Sequence, residues 1–414
     1  MKIRVALLLA LMVVLALHGY PVIASLTVLI GIENSYLAIP FRAIIAALSL
    51  AIIFKKKWLV KNGFFVFCLL LFWVILFLHF LGIILYNGGF KGFHDAEFYL
   101  WATLVCFLPM LATVQISSLS QPDLDMSFKV MLATSFITCV LVSVNFVLVG
   151  GESLMINNRL QLPSLNPISV SYSGSILILL SIFFFSQRKW SFFYRMAWVA
   201  VSLALGIVIL LLSNSRGPVL SLCLVLLVWF FSSNKKMRKQ NIFLISVALL
   251  ATTISYYFSN FLRFDFEVSR FAVIYSDPSY RIRLQLLVSA YEAFAASPIV
   301  GSIQLVSEME FHPHNILLDS LMRVGIIGTL FFLVPIVFGI YESIRMVKRK
   351  SANAWIGLLY LHAFLMACIS GSIHESYDFW VLLAAIISLS TTQRNFQNAV
   401  PPAVRGAGLS NNAA

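Results

Sequence analysis

His314 and Asn315 stand together at the start of one of the last long apolar segments of the chain, and after nine further residues come Gly325 and then Gly328. The polar stretch before them holds several arginines. An imidazole at a membrane surface can move a proton near neutral pH, and guanidinium groups can hold a phosphate, so the grouping points to a reaction on a charged lipid. His314 suits a general base for a sugar hydroxyl or a phosphate ligand. Taken alone, it reads more readily as a hydrogen-bonded interfacial histidine. His312, across Pro313, gives an HxH spacing that binds a metal only if an acid or a third histidine joins it, and no metal is expected. His374, Glu375 and Asp378 in the last outer turn can complete a site by accepting a proton or orienting a base, although they read more readily as a solvated turn. Arg323 is a charge inside a helix, answered either by a ligand or by Asp319 one turn earlier. His18, His79 and His362 lie within apolar runs and read as core residues.

These residues need a scaffold, and composition fixes its kind. Hydrophobic residues make up 60% of the 414 and charged ones 11%, with a mean hydropathy of +0.94, far from the balance of a soluble globular domain. Apolar runs able to cross about 30 Å of hydrocarbon recur along almost the whole length. They predict an all-α integral membrane domain over 1–391 with about twelve spans: 5–32, 39–54, 63–87, 97–116, 128–150, 169–186, 194–213, 217–232, 241–259, 316–344, 354–371 and 376–391. The first run resembles a secretory signal, with Ala24-Ser25 where cleavage would occur, but it continues to Ile32. We read a retained span, either one helix kinked at Tyr20-Pro21 or two short ones. Residues 392–414, rich in proline, glycine and asparagine without an apolar period, are expected to form a disordered cytoplasmic tail. No internal repeat suggests an inverted-repeat transporter. Cys68, Cys106, Cys139, Cys223 and Cys368 each lie in an apolar run without CxxC spacing, which indicates neither a disulfide framework nor a zinc site.

Charge sets the orientation. The net charge of +13 comes in short clusters between apolar runs, not on an interleaved basic and aromatic face, so no nucleic-acid partner is expected. Lys55, Lys56, Lys57 and Lys61 fall on one side with Arg188, Lys189 and Arg195, with Lys235, Lys236, Arg238 and Lys239, and with Arg345, Lys348, Arg349 and Lys350. That side is assigned to the cytoplasm, with both termini. The other side collects 88–96, 151–168, the tight turn near 214–217, the long loop 260–315 and 372–375. Its basic residues are Lys91, Arg159, Arg216, Arg263, Arg270, Arg281 and Arg283. All but one are arginine, whose fork matches phosphate oxygens better than an ammonium does.

Arg216, in Ser213-Asn214-Ser215-Arg216-Gly217-Pro218, falls between two apolar runs with almost no loop. Burying a guanidinium there costs roughly 2.5 to 3.5 kcal/mol at helix-centre depth unless an anion compensates, although a snorkelling arginine that caps the turn explains it equally well. In the long loop, Asp277-Pro278-Ser279 starts a helix near 279–296 with Leu284, Leu287, Val288, Tyr291 and Phe294 on one face, suited to lie along the membrane surface. Arg281 and Arg283 occupy its first turn, where free N–H groups and the helix dipole also favour an anion. The plain alternative is a solvated basic helix end.

Three blocks then resemble the O-antigen ligase and polymerase superfamily of bacterial envelope membrane proteins: SNSRGPVLSL at 213–222, RLQLLVSAYEAFAASPIVGS at 283–302 and HPHNILLDSLMRVGIIG at 312–328. The last fits the ligase pattern of His, then Asn, Ser or Gln, nine residues, Gly, two residues and a final Gly, Thr or Tyr. The likeness spans roughly 160–390. By position, Arg216 looks like the family's arginine at an outer helix turn, Arg283 like its loop arginine and His314 like its essential histidine. Arg281 is a near neighbour, and Arg159 with Asn166-Pro167 resembles an outer-loop element of relatives. The chain departs from relatives in having Leu287 where they often carry tryptophan, and Arg323-Val324 where they often carry an acid.

The resemblance implies a metal-independent, inverting glycosyltransferase without a cofactor, multi-pass in the bacterial inner membrane with its site facing the periplasm. It would move a glycan from undecaprenyl diphosphate to an acceptor sugar. His314, Arg216 and Arg283 would be catalytic, and Arg281, Arg159, Asn315 and His312 would bind the diphosphate or glycan. With lipid A core as acceptor the chain is a ligase, the reading the spacing favours. With a second lipid-linked glycan it is an O-antigen or exopolysaccharide polymerase. A protein O-oligosaccharyltransferase and a non-enzymatic lipid-linked glycan transporter are the remaining readings.

Overall fold

The computed structural model of the protein describes residues 2–33, 35–55, 62–87, 99–156, 159–187, 191–232, 278–301 and 312–399. Its helices are α1 (Lys2–Ile30), α2 (Ser35–Lys55), α3 (Gly63–Asn87), α4 (Tyr99–Ser118), α5 (Gln121–Leu148), α6 (Pro167–Ser186), α7 (Phe192–Ser213), α8 (Arg216–Ser232), α9 (Pro278–Ala296), α10 (Ile316–Lys348), α11 (Ala354–Ser370) and α12 (Tyr377–Ala399). Eight of them, α1 to α7 and α10, are long and apolar enough to cross a membrane, and α8, α11 and the apolar part of α12 are shorter. The protein is therefore a mostly helical, multi-pass membrane protein. Each of these helices falls on an expected span, while the expected span at 241–259 lies outside the described residues, as do 260–277 and 302–311 of the long loop.

Local chemistry explains the irregular places. The first run is a single helix that passes through Pro21. There the Ser25 hydroxyl donates to the Pro21 carbonyl at 2.8 Å and Asn145 Nδ2 of α5 donates to the Ser25 carbonyl at 2.9 Å, the kind of side-chain support that lets proline persist in a membrane helix. α4 opens with a π-helical turn, Ala102–Phe107, directly before Pro109, whose missing N–H leaves a carbonyl to be bypassed. The last helix runs on to Ala399, past the expected boundary at 391. Its polar end contains no glycine or proline, and Pro401-Pro402 follow immediately. Residues 400–414 lie outside the described set.

α6, α11 and α12 form the centre. From Phe379 to Ile387 every apolar side chain of α12 is almost wholly buried. His362 of α11 locks this centre, with Nε2 2.6 Å from Ser175 Oγ of α6 and Nδ1 2.7 Å from Ser221 Oγ of α8. It is the core histidine the sequence suggested. α1 packs on α5 and α2, and α10 on α3 and α11. Outward-facing Leu7, Phe54, Phe64 and Phe231 remain exposed, as a bundle bathed in lipid requires. Near one end Asn62 Nδ2 donates to the Ile387 carbonyl at 2.6 Å, Arg345 to that of Ser390 at 3.5 Å, and Gln121 Nε2 to Asn353 Oδ1 at 3.0 Å. The turn at 214–215, His312 to Asn315 and 371–376 gather at the opposite end.

Candidate functional site

At that end the chain builds two adjoining cavities. The turn between α7 and α8 is made by Asn214 in the left-handed conformation, φ 43°, which caps α7 and sends the chain straight into α8 with Arg216 as its first residue. An antiparallel pair of two-residue strands, Met155–Ile156 and Arg159–Leu160, holds Arg159 nearby. Arg159, Arg216 and, from α9, Arg283 line one small cavity of about 100 Å³, together with Tyr280 and Ser370. Three of the four arginines singled out in the sequence thus converge. Arg281, the fourth, is exposed and lines neither cavity, because it lies two residues from Arg283 and so points to a different side of α9.

The apolar face of α9 also divides otherwise than the periodicity suggests. Leu286 and Ala290 are buried against Leu318 and Met322 of α10, while Leu284, Val288 and Tyr291 stay exposed. The helix is apolar on both sides: one side packs on α10 and the other is exposed.

The second cavity, about 800 Å³, holds His312, His314, His374 and Glu375 on one wall and shares Ser370 with the arginine cavity. His314 is itself in a left-handed backbone conformation, φ 54°, uncommon outside glycine and typical of strained functional positions. The Ser370 backbone hydrogen-bonds its ring, while its Nδ1 is buried without a hydrogen-bond partner. Burial, then the charges of His312 and Arg283, push His314 down to about 4, against the opposing pull of Glu375. At neutral pH the imidazole is a free base. Asn315 Oδ1 accepts from the backbone N–H groups of Leu317 and Leu318, both at 3.0 Å, so its carboxamide oxygen serves as the N-cap of α10.

His312 Nε2 lies 3.0 Å from Glu375 Oε2. Burial alone would raise the Glu375 carboxyl, but the His312 hydrogen bond and the neighbouring histidines hold it down to about 2. His374 joins them, its Nδ1 3.0 Å from Ser372 Oγ. Ligand atoms of His312, His374 and Glu375 all lie within 4.8 Å of one another, which makes these three, among the described residues, a group able to hold a cation. The last outer turn thus brings an acid and a further histidine to His312, while His314 is not part of the group. That turn is anchored by Asp319, whose Oδ2 accepts from Ile373 N at 2.9 Å while its Oδ1 pairs with Arg323 Nε at 2.8 Å. Asp378 is hydrogen-bonded to Tyr172 in the same cavity.

The two motif glycines serve the geometry of α10. Gly325 has φ 62° and ψ −167° and breaks the helix. Into that break fits Pro298 to Gly301: Ile326 N donates to the Pro298 carbonyl at 2.8 Å and Ile327 N to that of Ile299 at 3.3 Å. A β-carbon on Gly325 would sit 2.3 Å from the Ile299 carbonyl oxygen. The backbone itself joins the segment after α9 to α10, and with it Arg283 to His314.

Residues 201–333 match the family model for O-antigen ligase. Over that stretch the chain is similar to the O-antigen ligase family. No curated protein and no solved structure matches it. The matched stretch takes in Arg216, Arg283, His312, His314 and both motif glycines, while Arg159, Ser370, His374 and Glu375 line the two cavities from outside it. One residue of the large cavity escaped the sequence reading altogether. Arg42 of α2 lies with its guanidinium carbon 4.2 Å from the ring centroid of Trp101 and 5.4 Å from that of Tyr20. Its signal was a lone charge in an apolar run, and nothing about its spacing tied it to the histidines.

Proposed function

We propose that the protein is an O-antigen ligase-like, metal-independent glycosyltransferase that moves a glycan from undecaprenyl diphosphate to a hydroxyl of an acceptor sugar, lipid A core in the first instance. Residues 1–391 form its membrane domain, placed in the inner membrane with the loop 260–315 and both cavities towards the periplasm. The observation that carries this reading is the convergence of Arg159, Arg216 and Arg283 on one cavity that meets the His314 cavity at Ser370. Guanidinium groups from three separate elements suit a diphosphate, and an unprotonated imidazole beside them suits a hydroxyl proton.

In the proposed reaction the acceptor oxygen attacks the anomeric carbon from the face opposite the diphosphate. The bond from that carbon to the phosphate oxygen breaks with its electron pair, the configuration inverts, and the hydroxyl proton passes to His314. Arg216 and Arg283 neutralise the charge that develops on the departing diphosphate, while Arg159 helps to seat it. Neutralisation by arginine removes the need for a metal at the leaving group.

The purified protein, reconstituted with a synthetic lipid-linked donor and core lipid A, is expected to form a glycosylated product. His314→Ala should lower the rate at least 100-fold, the scale of a lost general base. Arg283→Lys should impair it too, because a point charge lacks the fork. Full activity in the His314 variant removes the proposed base, and absence of transfer by the wild type favours a transporter. A polymerase would use the same donor cavity and differ only in its acceptor. Gel analysis of lipopolysaccharide from a deletion strain separates the two: uncapped core marks a lost ligase, and core bearing a single repeat marks a lost polymerase.

A further inference from the structure

The wall of the large cavity formed by α1, α2 and α4 carries a cation that donor binding and proton transfer do not use. Arg42 lies inside a span and forms no ion pair among the described residues. The two acids of the cavity are engaged elsewhere, Glu375 with His312 and Asp378 with Tyr172. Its guanidinium carbon lies over the rings of Trp101 and Tyr20, aromatic contacts that hold the cation without engaging its N–H donors with an acid, and those donors suit a planar or tetrahedral oxyanion. Beside it His18, only 1% exposed, lines the same cavity with a buried Nε2 that has no hydrogen-bond partner. A charge within a span and an unsatisfied buried nitrogen both carry a cost that an incoming anionic ligand would remove.

We propose that Arg42, held by Tyr20 and Trp101 and assisted by His18, is a second anion subsite that receives a phosphate or carboxylate of the acceptor glycolipid. The names donor and acceptor rest on the transfer reading above; the subsite itself does not. The donor diphosphate has its own arginines in the small cavity beyond Ser370, so a further oxyanion in the large cavity belongs to the other substrate. His314 then stands between two charged molecules, each anchored by its acidic group, with the acceptor hydroxyl directed to its free Nδ1. The pocket chemistry selects an acidic acceptor over a neutral one.

The test measures binding to the full-length protein in detergent. One arm uses phosphorylated core lipid A and its dephosphorylated form, and the other a uronic-acid glycolipid and its carboxyl-reduced form. The wild type should bind one charged probe at least tenfold more tightly than its neutral partner. Arg42→Ala should abolish that preference, and Arg42→Lys should retain only part of it. In the reconstituted assay Arg42→Ala should raise the acceptor KM about tenfold and leave the donor KM within about twofold. The arm that responds identifies the anion. Equal binding of charged and neutral probes by the wild type, or an unchanged preference in Arg42→Ala, overturns the subsite even if transfer is robust. Arg42-dependent binding without any transfer retains the subsite and overturns the glycosyltransferase reading. Should Arg42→Ala fail to give a monodisperse protein, Arg42→Lys and His18→Phe decide by the same ratio, and no fall in either overturns the proposal.

Discussion

His314 is controlled by its surroundings more than by its identity. Burial and the positive charges of His312 and Arg283 bring it to about 4, below the ordinary histidine range, so its neutral form persists well into acid. The sign follows: an activity that needs the free imidazole is full at neutral pH and fails only as the pH drops through that value. The acid limb of kcat/KM should therefore lie near 4, not near 6.5. Glu375 is the charge that opposes the shift, so Glu375→Gln should move the limb lower still. A limb near 6.5, unmoved in the variant, would separate His314 from the rate-determining proton transfer. The same residues pose a metal question, since His312, His374 and Glu375 can hold a cation. Because Glu375 is already matched by His312 at 3.0 Å, and because in the proposed reaction the arginines neutralise the leaving group, exhaustive treatment with EDTA should leave transfer within about twofold. Loss restored by zinc would make the triad a metal site.

Helix α10 owes its geometry to being interrupted. Asn315 caps its first turn, Asp319 and Arg323 pair within it, and Gly325 breaks it where the backbone of Pro298 to Gly301 docks. The conformation at Gly325 is one that essentially only glycine adopts. Gly325→Ala meets both that strain and the Ile299 carbonyl, a combination expected to cost at least about 1 to 3 kcal/mol and to separate Arg283 from His314. We expect a lower melting temperature in detergent together with loss of transfer. Asn315→Ala, by contrast, should cost about 1 kcal/mol as a lost cap and retain most of the activity. Equal activity of Gly325→Ala and wild type would show that the docked segment does not position the site.

The molecule sorts its charges between two ends. Arg345, Lys348 and Arg349 lie at the end where α12 contacts Asn62, and the arginine and histidine cavities lie at the other. With the lysine-rich end in the cytoplasm, a cysteine placed at Ser153 in an otherwise cysteine-free protein should react with an impermeant maleimide from the periplasm. One placed at Arg349 should react only after the inner membrane is opened. The reverse pattern would put the cavities in the cytoplasm, away from the proposed substrates.

The sequence by itself determined the medium and the rhythm of the protein. Apolar runs of bilayer length need helices because hydrocarbon leaves a backbone no other partner, and basic clusters recurring between alternate runs sort the ends. It also marked His314, Arg216, Arg283 and Arg159, since charged and titratable groups at span boundaries are costly enough to stand out. Only the tertiary structure decided which of these meet. Arg281 and Arg283 are indistinguishable by composition, yet two positions around a helix place one beside the cavity and the other outside it. Motif spacing likewise does not reveal that the N-terminus of α10 claims the side-chain oxygen of Asn315. His374, Glu375 and Arg42 came to line the same cavity as His314 through the packing of the helices that carry them. Contacts between residues hundreds of positions apart depend on how helices pack, and no local pattern along the chain encodes that.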